Sequence, residues 1–449
     1  MVLMQTSFIS AQSTTVTPMI AVGGGHSIAL KSDGTVWAWG LNIWGQLGDR
    51  TTANRRSPVQ VLGLTDVIAI SAGMYHSVAL KSDGTVWAWG WNSDGQLGDG
   101  TTTDNSLPVQ VLGLYDVSTI TAGDGYTIAL KLDGTAWAWG SNEVGQLGDG
   151  TTTNKNIPVQ VLGLHDISTI AAGGAHTIAL KTDGTVWAWG FNHWRQLGDG
   201  TYENRLTPVP VQGLSDVSII AAGGSHSVAL KSDGTVWAWG DNSYRQLGDG
   251  TTTEHHAIVQ VLGLSDIDTI SAGVDHTIAL KQDGTVWTWG SQCEGIGLVD
   301  GTPAEILDLY GVTVVAAGKY QNTLAVKADG SVWAWGSNNY GQLGDETLTN
   351  RNNPVQVLDV NGVGHLNLGT MPTAVSPIYA DNEKMITTRS MNGILYISGL
   401  KTGTSWSVYG VNGVLVYQGI AAGCNAEVIL PGRGIYIVIN GNKMVKVID

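Results

Sequence analysis

The sequence predicts an all-β protein, a seven-bladed β-propeller followed by a small β-sandwich domain. An octapeptide with the sequence Asp-Gly-Thr-Val-Trp-Ala-Trp-Gly begins at Asp33 and returns, nearly unchanged, at Asp83, Asp133, Asp183, Asp233, Asp283 and Asp329. A repeat of about 50 residues is typical of solenoids, propellers and arrays. Each repeat also contains four short strand patterns without helical periodicity, which favours propeller blades.

The strand pattern of one repeat is clearest between residues 58 and 90. Residues 58–62 and 67–72 are short runs rich in β-branched side chains, as expected of strands. Residues 76–81 and 86–90 alternate apolar with small or polar side chains on either side of Asp83-Gly84. An Asp-Gly pair accommodates the positive φ angles of a tight hairpin turn. Four antiparallel strands per repeat are therefore predicted.

The number of Pro-Val-type strands suggests how the ring closes. The repeat that contains Asp33 has no such strand before it, and the strand at residues 354–358 has no complete repeat after it. We therefore predict that one blade is completed from both ends of the chain, with residues 354–358 paired beside the first repeat. Such pairing would remove the open sheet edges that favour aggregation.

Two motifs carry a family resemblance. Residues 89–98 read Trp-Gly-Trp-Asn-Ser-Asp-Gly-Gln-Leu-Gly, and residues 72–80 read Ala-Gly-Met-Tyr-His-Ser-Val-Ala-Leu. Together with the Pro-Val strand they resemble the repeat of the regulator of chromosome condensation (RCC1) family over residues 18–360. The resemblance implies a seven-bladed propeller. The family includes nucleotide-exchange factors, chromatin binders, secreted enzyme inhibitors and many bacterial proteins, so the fold does not select a function.

The composition changes after the repeats, at a stretch that we interpret as a linker over residues 361–376. Residues 377–449 contain strand patterns at 393–397, 405–409, 414–417, 426–430, 434–439 and 443–448. Their order, length and terminal position resemble the C-terminal sorting domain of the type IX secretion system of Bacteroidetes. The resemblance implies export and contact with the secretion machinery. A generic small β-sandwich accessory domain is the alternative.

The first 17 residues are interpreted as the remnant of a signal peptide and leader. They have a short apolar run and a possible cleavage point at Ala11-Gln12, but no basic residue. No stretch of the chain reaches the roughly 18 apolar residues that a membrane-spanning helix requires. We therefore expect a protein that is secreted or held at the outer cell surface, without an integral membrane span.

The charge balance argues against nucleic acid as a partner. The chain has 22 basic and 37 acidic residues, a formal net charge of −15, and no basic run. Nucleic acid is bound chiefly through Lys and Arg side chains that neutralise phosphates. The only cysteines, Cys293 and Cys424, lie in different predicted domains, so no disulfide framework is expected.

Residue types that often carry catalysis recur at equivalent positions, which favours a structural role. His26, His76, His176, His226 and His276 precede a strand in their repeats, and Tyr126 and Asn322 occupy the same position in two others. We expect these histidines to bond to neighbouring loop backbone. The loops at Asp99, Asp149 and Asp249 are interpreted as solvated turns, with calcium as the alternative. No enzymatic activity, metal or cofactor is expected.

The variable positions of the repeat fall on one face of the predicted ring. In a four-stranded meander, the loop between strands one and two and the loop between strands three and four emerge on the same side. These two loops hold most of the substitutions, including eight aromatic residues outside the framework: Trp44, Tyr75, Trp91, Phe191, Trp194, Tyr244, Tyr320 and Tyr340. Aromatic side chains ringed by polar residues are typical of binding hot spots. The alternative is that each ring folds over its own blade.

These observations favour a monomeric module that binds another macromolecule, most simply a protein, through this aromatic face. A carbohydrate-binding adhesin or an extracellular enzyme that uses the same face is the alternative. Guanine-nucleotide exchange is a more distant alternative, because nothing in the sequence marks a small GTPase as partner outside the cell.

Overall fold

The computed structural model describes residues 16–253, 257–291 and 301–369, together with seven strands between residues 387 and 448. The chain divides into two compact units, residues 1–372 and 373–449. The predicted leader (1–17) lies outside the described residues except for its last two positions. The predicted linker (361–376) is described only as far as residue 369.

Seven four-stranded antiparallel sheets make up the first unit, which confirms the predicted seven-bladed propeller. Blade 1 contains β1 (Met19–Val22), β2 (His26–Leu30), β3 (Val36–Gly40) and β4 (Arg55–Gln60). Blade 2 contains β5 (Val67–Ala72), β6 (His76–Lys81), β7 (Val86–Gly90) and β8 (Asn105–Gln110). Blade 3 contains β9 (Val117–Ala122), β10 (Tyr126–Lys131), β11 (Ala136–Gly140) and β12 (Lys155–Gln160).

The remaining four blades follow in chain order. Blade 4 contains β13 (Ile167–Ala172), β14 (His176–Lys181), β15 (Val186–Gly190) and β16 (Arg205–Pro210). Blade 5 contains β17 (Val217–Ala222), β18 (His226–Lys231), β19 (Val236–Gly240) and β20 (Val259–Gln260). Blade 6 contains β21 (Ile267–Ala272), β22 (His276–Lys281), β23 (Val286–Gly290) and β24 (Ala304–Glu305). Blade 7 contains β25 (Val312–Ala317), β26 (Asn322–Lys327), β27 (Val332–Gly336) and β28 (Arg351–Gln356).

The predicted blade shared between the two chain ends is wrong. Each Pro-Val strand pairs with the Trp strand that precedes it, so that Val59 lies opposite Ala38 in blade 1 and Val355 lies opposite Ala334 in blade 7. Every blade is therefore one continuous segment of chain. The repeat pattern has no intrinsic first strand, and counting motifs could not show to which hairpin the Pro-Val strand belongs.

The ring closes instead through side chains and a short segment after β28. Leu366 and Leu368 are fully buried and pack with Ile20, Val22 and Trp39 at the junction of blades 7 and 1. The amide of Leu368 donates to the Gly330 carbonyl of blade 7, and its carbonyl accepts from the Ser32 amide of blade 1. This segment thus spans the junction and covers the apolar surface of both terminal blades.

In blades 1 to 5 and in blade 7, one main-chain carbonyl anchors the next blade. In blade 1 the Gln46 carbonyl accepts the indole N–H of Trp89 at 2.8 Å and the hydroxyl of Ser77 at 2.9 Å, both from blade 2. The main-chain carbonyls of four further residues accept an equivalent pair of hydrogen bonds: Gln96, Gln146, Gln196 and Gln246. The Gln342 carbonyl of blade 7 receives Trp39 and Ser27 of blade 1, each at 2.9 Å. The ring is therefore closed by the interaction that joins its other blades.

The recurring histidines extend this network. His76 Nε2 lies 3.0 Å from the Thr127 hydroxyl of blade 3, and His26, His176, His226 and His276 contact the equivalent hydroxyl of their next blade. The Thr127 hydroxyl donates its hydrogen to the Gln96 carbonyl, so His76 Nε2 must be the donor to Thr127. The structural role is as expected, but the partner is a side-chain hydroxyl rather than the loop backbone that we predicted.

A circle of backbone hydrogen bonds also links the blades near the axis. Each bond joins the loop after the first strand of one blade to the same loop in the next. The donors and acceptors are Gly24 N to Met74 O, Met74 N to Asp124 O, Asp124 N to Gly174 O, Gly174 N to Gly223 O, Gly224 N to Gly273 O, Val274 N to Gly318 O and Lys319 N to Gly23 O. The last bond returns to blade 1, so the circle is complete.

The long loop after each Trp strand is held by an asparagine. Asn92 is fully buried, and its side-chain amide donates to Asp99, to the carbonyl of Thr101 and to the carbonyl of Thr103. Its Oδ1 accepts the amide of Leu97. Asp99 in turn accepts the amide and hydroxyl of Thr101. These contacts account for the acidic loop by turn formation.

The second unit contains seven described strands in two sheets. The first has the order β29 (Thr387–Met391), β30 (Ile394–Ser398) and β33 (Asn425–Ile429). The second has the order β32 (Leu415–Ile420), β31 (Ser405–Gly410), β34 (Ile435–Asn440) and β35 (Lys443–Ile448). Six of these coincide with the predicted strands to within a few residues, and β29 was not predicted. The β-sandwich packing and the sorting role stay predictions.

The closure segment gives the first testable prediction. Leu366→Ala and Leu368→Ala should each lower the free energy of unfolding of the propeller by about 2–5 kcal/mol, because each removes buried methyl groups from the junction of blades 7 and 1. Denaturant unfolding of the full chain measures this. Val363→Ala is the matched control, since that side chain is 76% exposed and should have little effect. Equal effects of all three changes would contradict the proposed closure.

The buried histidines predict a pH dependence. Burial lowers the pKa of His76 from 6.5 to about 3. Above pH 6.5 the imidazole of His76 is neutral in both the folded and the unfolded chain. At lower pH this imidazole binds a proton in the unfolded chain, whereas its burial in the folded chain keeps it neutral. Stability is therefore lost as the pH falls from 6.5 towards 3.

Replacing one histidine should make this loss less steep. His76→Asn should reduce the slope of unfolding free energy against pH by about 1.4 kcal/mol per pH unit near pH 4.5. His176→Asn should give the same reduction, because burial lowers the pKa of His176 to about 3 as well. An unchanged slope in both variants would mean that these histidines titrate in the folded ring.

Candidate functional site

The two variable loops of each blade emerge on one side of the ring, as strand parity requires. We call this side the loop face; it consists of the loops between the first and second strands and the loops between the third and fourth strands. All eight predicted aromatic residues lie in these loops. The opposite side carries the Asp-Gly hairpins and the Gly-Leu-x-Asp turns.

Five of the eight aromatic residues lie together on blades 7, 1 and 2. The Trp44 and Trp91 ring centroids are 6.4 Å apart, and Tyr75 meets Trp91 edge-on at 6.0 Å. Tyr320 and Tyr340 of blade 7 are 6.4 Å apart. The hydroxyls of Tyr75 and Tyr320 are 3.0 Å apart and join the two groups. We call these five residues the aromatic tract.

The tract bridges loops of three blades. Tyr75 and Tyr320 belong to blades 2 and 7, which are separated by blade 1, so their hydrogen bond reaches over that blade's inner loop. Lys319 of blade 7 reaches farther and pairs with Asp124 of blade 3 at 3.0 Å. Burial and the hydrogen bond with Tyr320 raise the pKa of Tyr75 to about 12, so its hydroxyl stays neutral at ordinary pH.

The tract is only partly covered by its own contacts. Trp44 is 37% exposed and neighbouring Ile43 is 53% exposed, while the other four tract residues are half-buried. Trp44 packs on Trp91 of the next blade, whereas Tyr75 meets Trp91, and Tyr320 meets Tyr340, within their own blades. The indole N–H of Trp91 is satisfied by the Ser93 hydroxyl at 2.8 Å. The tract therefore leaves apolar ring surface open to solvent.

The other three predicted residues lie on the far side of the ring. Phe191 and Trp194 belong to blade 4, and Tyr244 belongs to blade 5. The Phe191 ring contacts His193 at 4.8 Å. Trp194 and Tyr244 are 39% and 54% exposed. The structure therefore gathers five of the eight residues and leaves these three in a separate sector.

Carboxylates adjoin the tract. Burial and the nearby negative charge of Glu143 raise the pKa of Asp94, which lies in the same loop as Trp91. Asp94 accepts the side-chain amide of Asn154 at 3.0 Å, whereas Glu143 is exposed. On blade 6, burial and the charge of Asp241 likewise raise the pKa of Asp275. The loop face therefore combines aromatic rings with carboxylates that repel one another.

The opposite face repeats one arrangement in each blade. In blade 2, Asp83 accepts the amide and the hydroxyl of Thr85, and these bonds lower its pKa. The Lys81 ammonium lies 5.7 Å from the centre of the Trp87 ring. Equivalent contacts recur around the ring, so uniformity on this side follows from hairpin construction. Tyr115, 59% exposed in a Gly-Leu-x-Asp turn, is one of its few variable side chains.

The recurring histidines belong to the framework of the ring. The five recurring histidines are at least 95% buried and are bonded to hydroxyls, so they do not face solvent. Among the described residues, no group of His, Cys, Asp or Glu is arranged to hold a metal ion. No helix in the described part of the chain is long and apolar enough to cross a membrane.

Sequence reasoning found the aromatic positions and their common face but not the contacts among them. Lys319 and Asp124 lie in variable loops 195 positions apart, and nothing in the sequence indicates that they meet. Contacts that reach across the ring depend on how far each loop leans over the axis. No local sequence pattern carries that information.

Solved structures provide comparisons for the fold. Human WBSCR16 superimposes with a TM-score of 0.65 at 21% identity, covering 73% of this chain and 96% of that chain. Prp20p of Saccharomyces cerevisiae gives a TM-score of 0.66 at 24% identity, covering 80% of this chain and 91% of that chain. The structure of the yeast protein bound to Kap60 gives a TM-score of 0.65 at 22% identity, with the same coverage of both chains. At these identities the likeness shows the fold alone.

Family models identify the repeats directly. The model of the RCC1-like domain matches residues 4–302. Models of the regulator of chromosome condensation (RCC1) repeat match residues 312–342 and 329–373. The first match spans more than half of the chain, and the others continue it through the last blade. The chain therefore belongs to the RCC1-like domain family.

Proposed function

We propose that this propeller binds another protein through its loop face, with the aromatic tract at the centre of the interface. The tract is the observation that supports this most strongly: five rings from three blades, joined by contacts of 6.0–6.4 Å and one hydroxyl pair, lie together on the loop face. Trp and Tyr dominate binding hot spots because they offer large, rigid apolar surfaces. The framework does not require these rings, since the repeated Trp residues already fill the blade interfaces.

The surroundings of the tract suggest the chemistry of the partner. Asp94 and Glu143 repel one another beside Trp91, and basic groups of a partner would relieve this repulsion. Lys319 is already paired with Asp124. The partner proposed here accordingly presents apolar side chains to the tract on blades 7, 1 and 2, and basic side chains to Asp94 and Glu143 on blades 2 and 3.

Relatives with this fold are known to bind proteins. Yeast Prp20p was studied for its binding to Gsp1p and histones, and the same protein was solved bound to Kap60. These properties belong to the yeast protein. They support the use of an RCC1-like propeller as a protein-binding platform, and they leave nucleotide exchange as the distant alternative that the sequence suggested.

We further propose that the protein is secreted or displayed on the outer cell surface, with residues 377–449 directing export through a type IX system. The proposal rests on the resemblance of this region to sorting domains and on its composition of short strands, seven of which are described. The partner would then be an extracellular protein or a surface ligand.

The binding proposal predicts a selective loss of affinity. A partner is first captured from the native extracellular medium with the full chain, and its dissociation constant is then measured for variants. Trp44→Ala and Trp91→Ala should each weaken binding by about tenfold or more, the cost typical of a hot-spot aromatic residue. The melting temperature should change little, because both rings lie partly exposed on the loop face and neither donates to the buried carbonyls that join the blades.

Tyr115→Ala is the matched control for these variants, because it removes an exposed aromatic ring from the opposite face. It should alter neither affinity nor melting temperature. Unchanged binding by both Trp variants, or an equal loss with Tyr115→Ala, would refute the assignment of the interface to the tract. Glycans on an array that bind the native chain and not the Trp variants would instead favour the adhesin.

The export proposal predicts a change of location. Removing residues 377–449 should leave the propeller folded but retain the protein inside the producing cell. Immunoblots of cell fractions and medium measure this, with thermal melting of the truncated propeller as the folding control. Normal secretion of the truncated protein would remove the sorting role.

A further inference from the structure

The junction of blades 7 and 1 lacks the hydrogen bond that a histidine makes to the next blade at five other junctions. At the histidine position of blade 7 stands Asn322, whose side chain is fully buried. Both polar atoms of its amide, Nδ2 and Oδ1, lack a hydrogen-bond partner within the protein. An unsatisfied buried polar group costs about 1–3 kcal/mol, so two on one side chain call for an explanation.

The other blades show what normally fills this position. His26, His76, His176, His226 and His276 place Nε2 2.9–3.3 Å from a hydroxyl of the next blade. In blade 3 the longer Tyr126 reaches across and contacts both the carbonyl of His176 and the hydroxyl of Thr177. Every one of these side chains thus bridges to the following blade.

Asn322 is too short to make the same bridge. The hydroxyl that it would meet is that of Ser27 in blade 1, which is buried and donates to the Gln342 carbonyl at 2.9 Å. At other junctions this hydroxyl also accepts a hydrogen bond from the histidine. An asparagine lacks the outer ring atoms of histidine, including the Nε2 that makes this bond. By analogy with the other junctions, the outer ring atoms of a histidine at this position would lie between the Asn322 site and the Ser27 hydroxyl.

We propose that a single buried water molecule is bound at this junction, between Asn322 and Ser27. The site needs a small neutral ligand that can both accept and donate. Water accepts from Asn322 Nδ2, donates one hydrogen to Asn322 Oδ1 and donates the other to Ser27 Oγ, and so replaces the imidazole N–H of the other blades. Buried waters in proteins typically make about three hydrogen bonds to groups that would otherwise be unsatisfied. The site lies where blade 7 meets blade 1, so the water completes the inner network at the closing junction.

A matched pair of substitutions in the full chain tests the proposal. Asn322→His restores the ring found at the equivalent positions and should expel the water, whereas His76→Asn should create a second site of the same kind. Oxygen-17 magnetic relaxation dispersion counts long-lived internal waters. The expected result is one fewer for Asn322→His and one more for His76→Asn, relative to the native chain.

The melting temperature and a crystal structure provide independent readouts. Asn322→His should raise the melting temperature, and density for a water should lie within hydrogen-bond distance of both Asn322 and Ser27 in the native protein. An unchanged water count in both variants, or a native crystal structure in which Asn322 bonds directly to protein atoms, would overturn the proposal. If Asn322→His fails to fold, the gain of one water in His76→Asn still decides the question.

Discussion

The structure depends on a single recurring interaction, in which a main-chain carbonyl at the start of a Gln-Leu-Gly turn receives two donors from the next blade. The Gln46 carbonyl shows the geometry, with the Trp89 indole and the Ser77 hydroxyl at 2.8 and 2.9 Å. A carbonyl oxygen has two lone pairs, and here both are used by groups of the neighbouring sheet. The turn therefore fixes the distance and the angle between blades. Gly48 ends this turn and must be glycine, because a Cβ at this position would lie 3.0 Å from the Trp89 indole nitrogen and 2.7 Å from Val61.

This interaction explains which residues repeat and which are free to vary. Three parts of the repeat belong to the network that joins the blades. They are the second Trp of the octapeptide, the Ser or Thr that follows the histidine, and the Gln-Leu-Gly turn. Side chains of the loop face lie outside it, so they can change without loss of the ring. Tyr126 shows that even the histidine position tolerates exchange where another side chain completes the bridge.

Much of this architecture follows from the sequence, because the spacing of a repeated motif can be measured directly along the chain. The number of blades, the four strands of each blade and the common face of the variable loops all follow from motif spacing and strand parity. The pairing of the Pro-Val strand does not, since a cyclic repeat has no first element. Leu366 and Leu368 were also missed, because they follow the last recognisable repeat and look like linker. The contact of Tyr75 with Tyr320 joins residues 245 positions apart and depends on the curvature of the ring.

Two tryptophans of one blade, separated by a single residue, provide the most direct test of this division between framework and recognition. Trp89 is fully buried and donates to Gln46, whereas Trp91 lies half-buried on the loop face. The measurement is the free energy of unfolding of Trp89→Phe and Trp91→Phe in the full chain. We predict a loss of about 1–3 kcal/mol for Trp89→Phe, which removes a buried donor and part of a packed ring, and almost none for Trp91→Phe. An equal or larger loss for Trp91→Phe would show that the loop face is part of the framework, and would contradict the account.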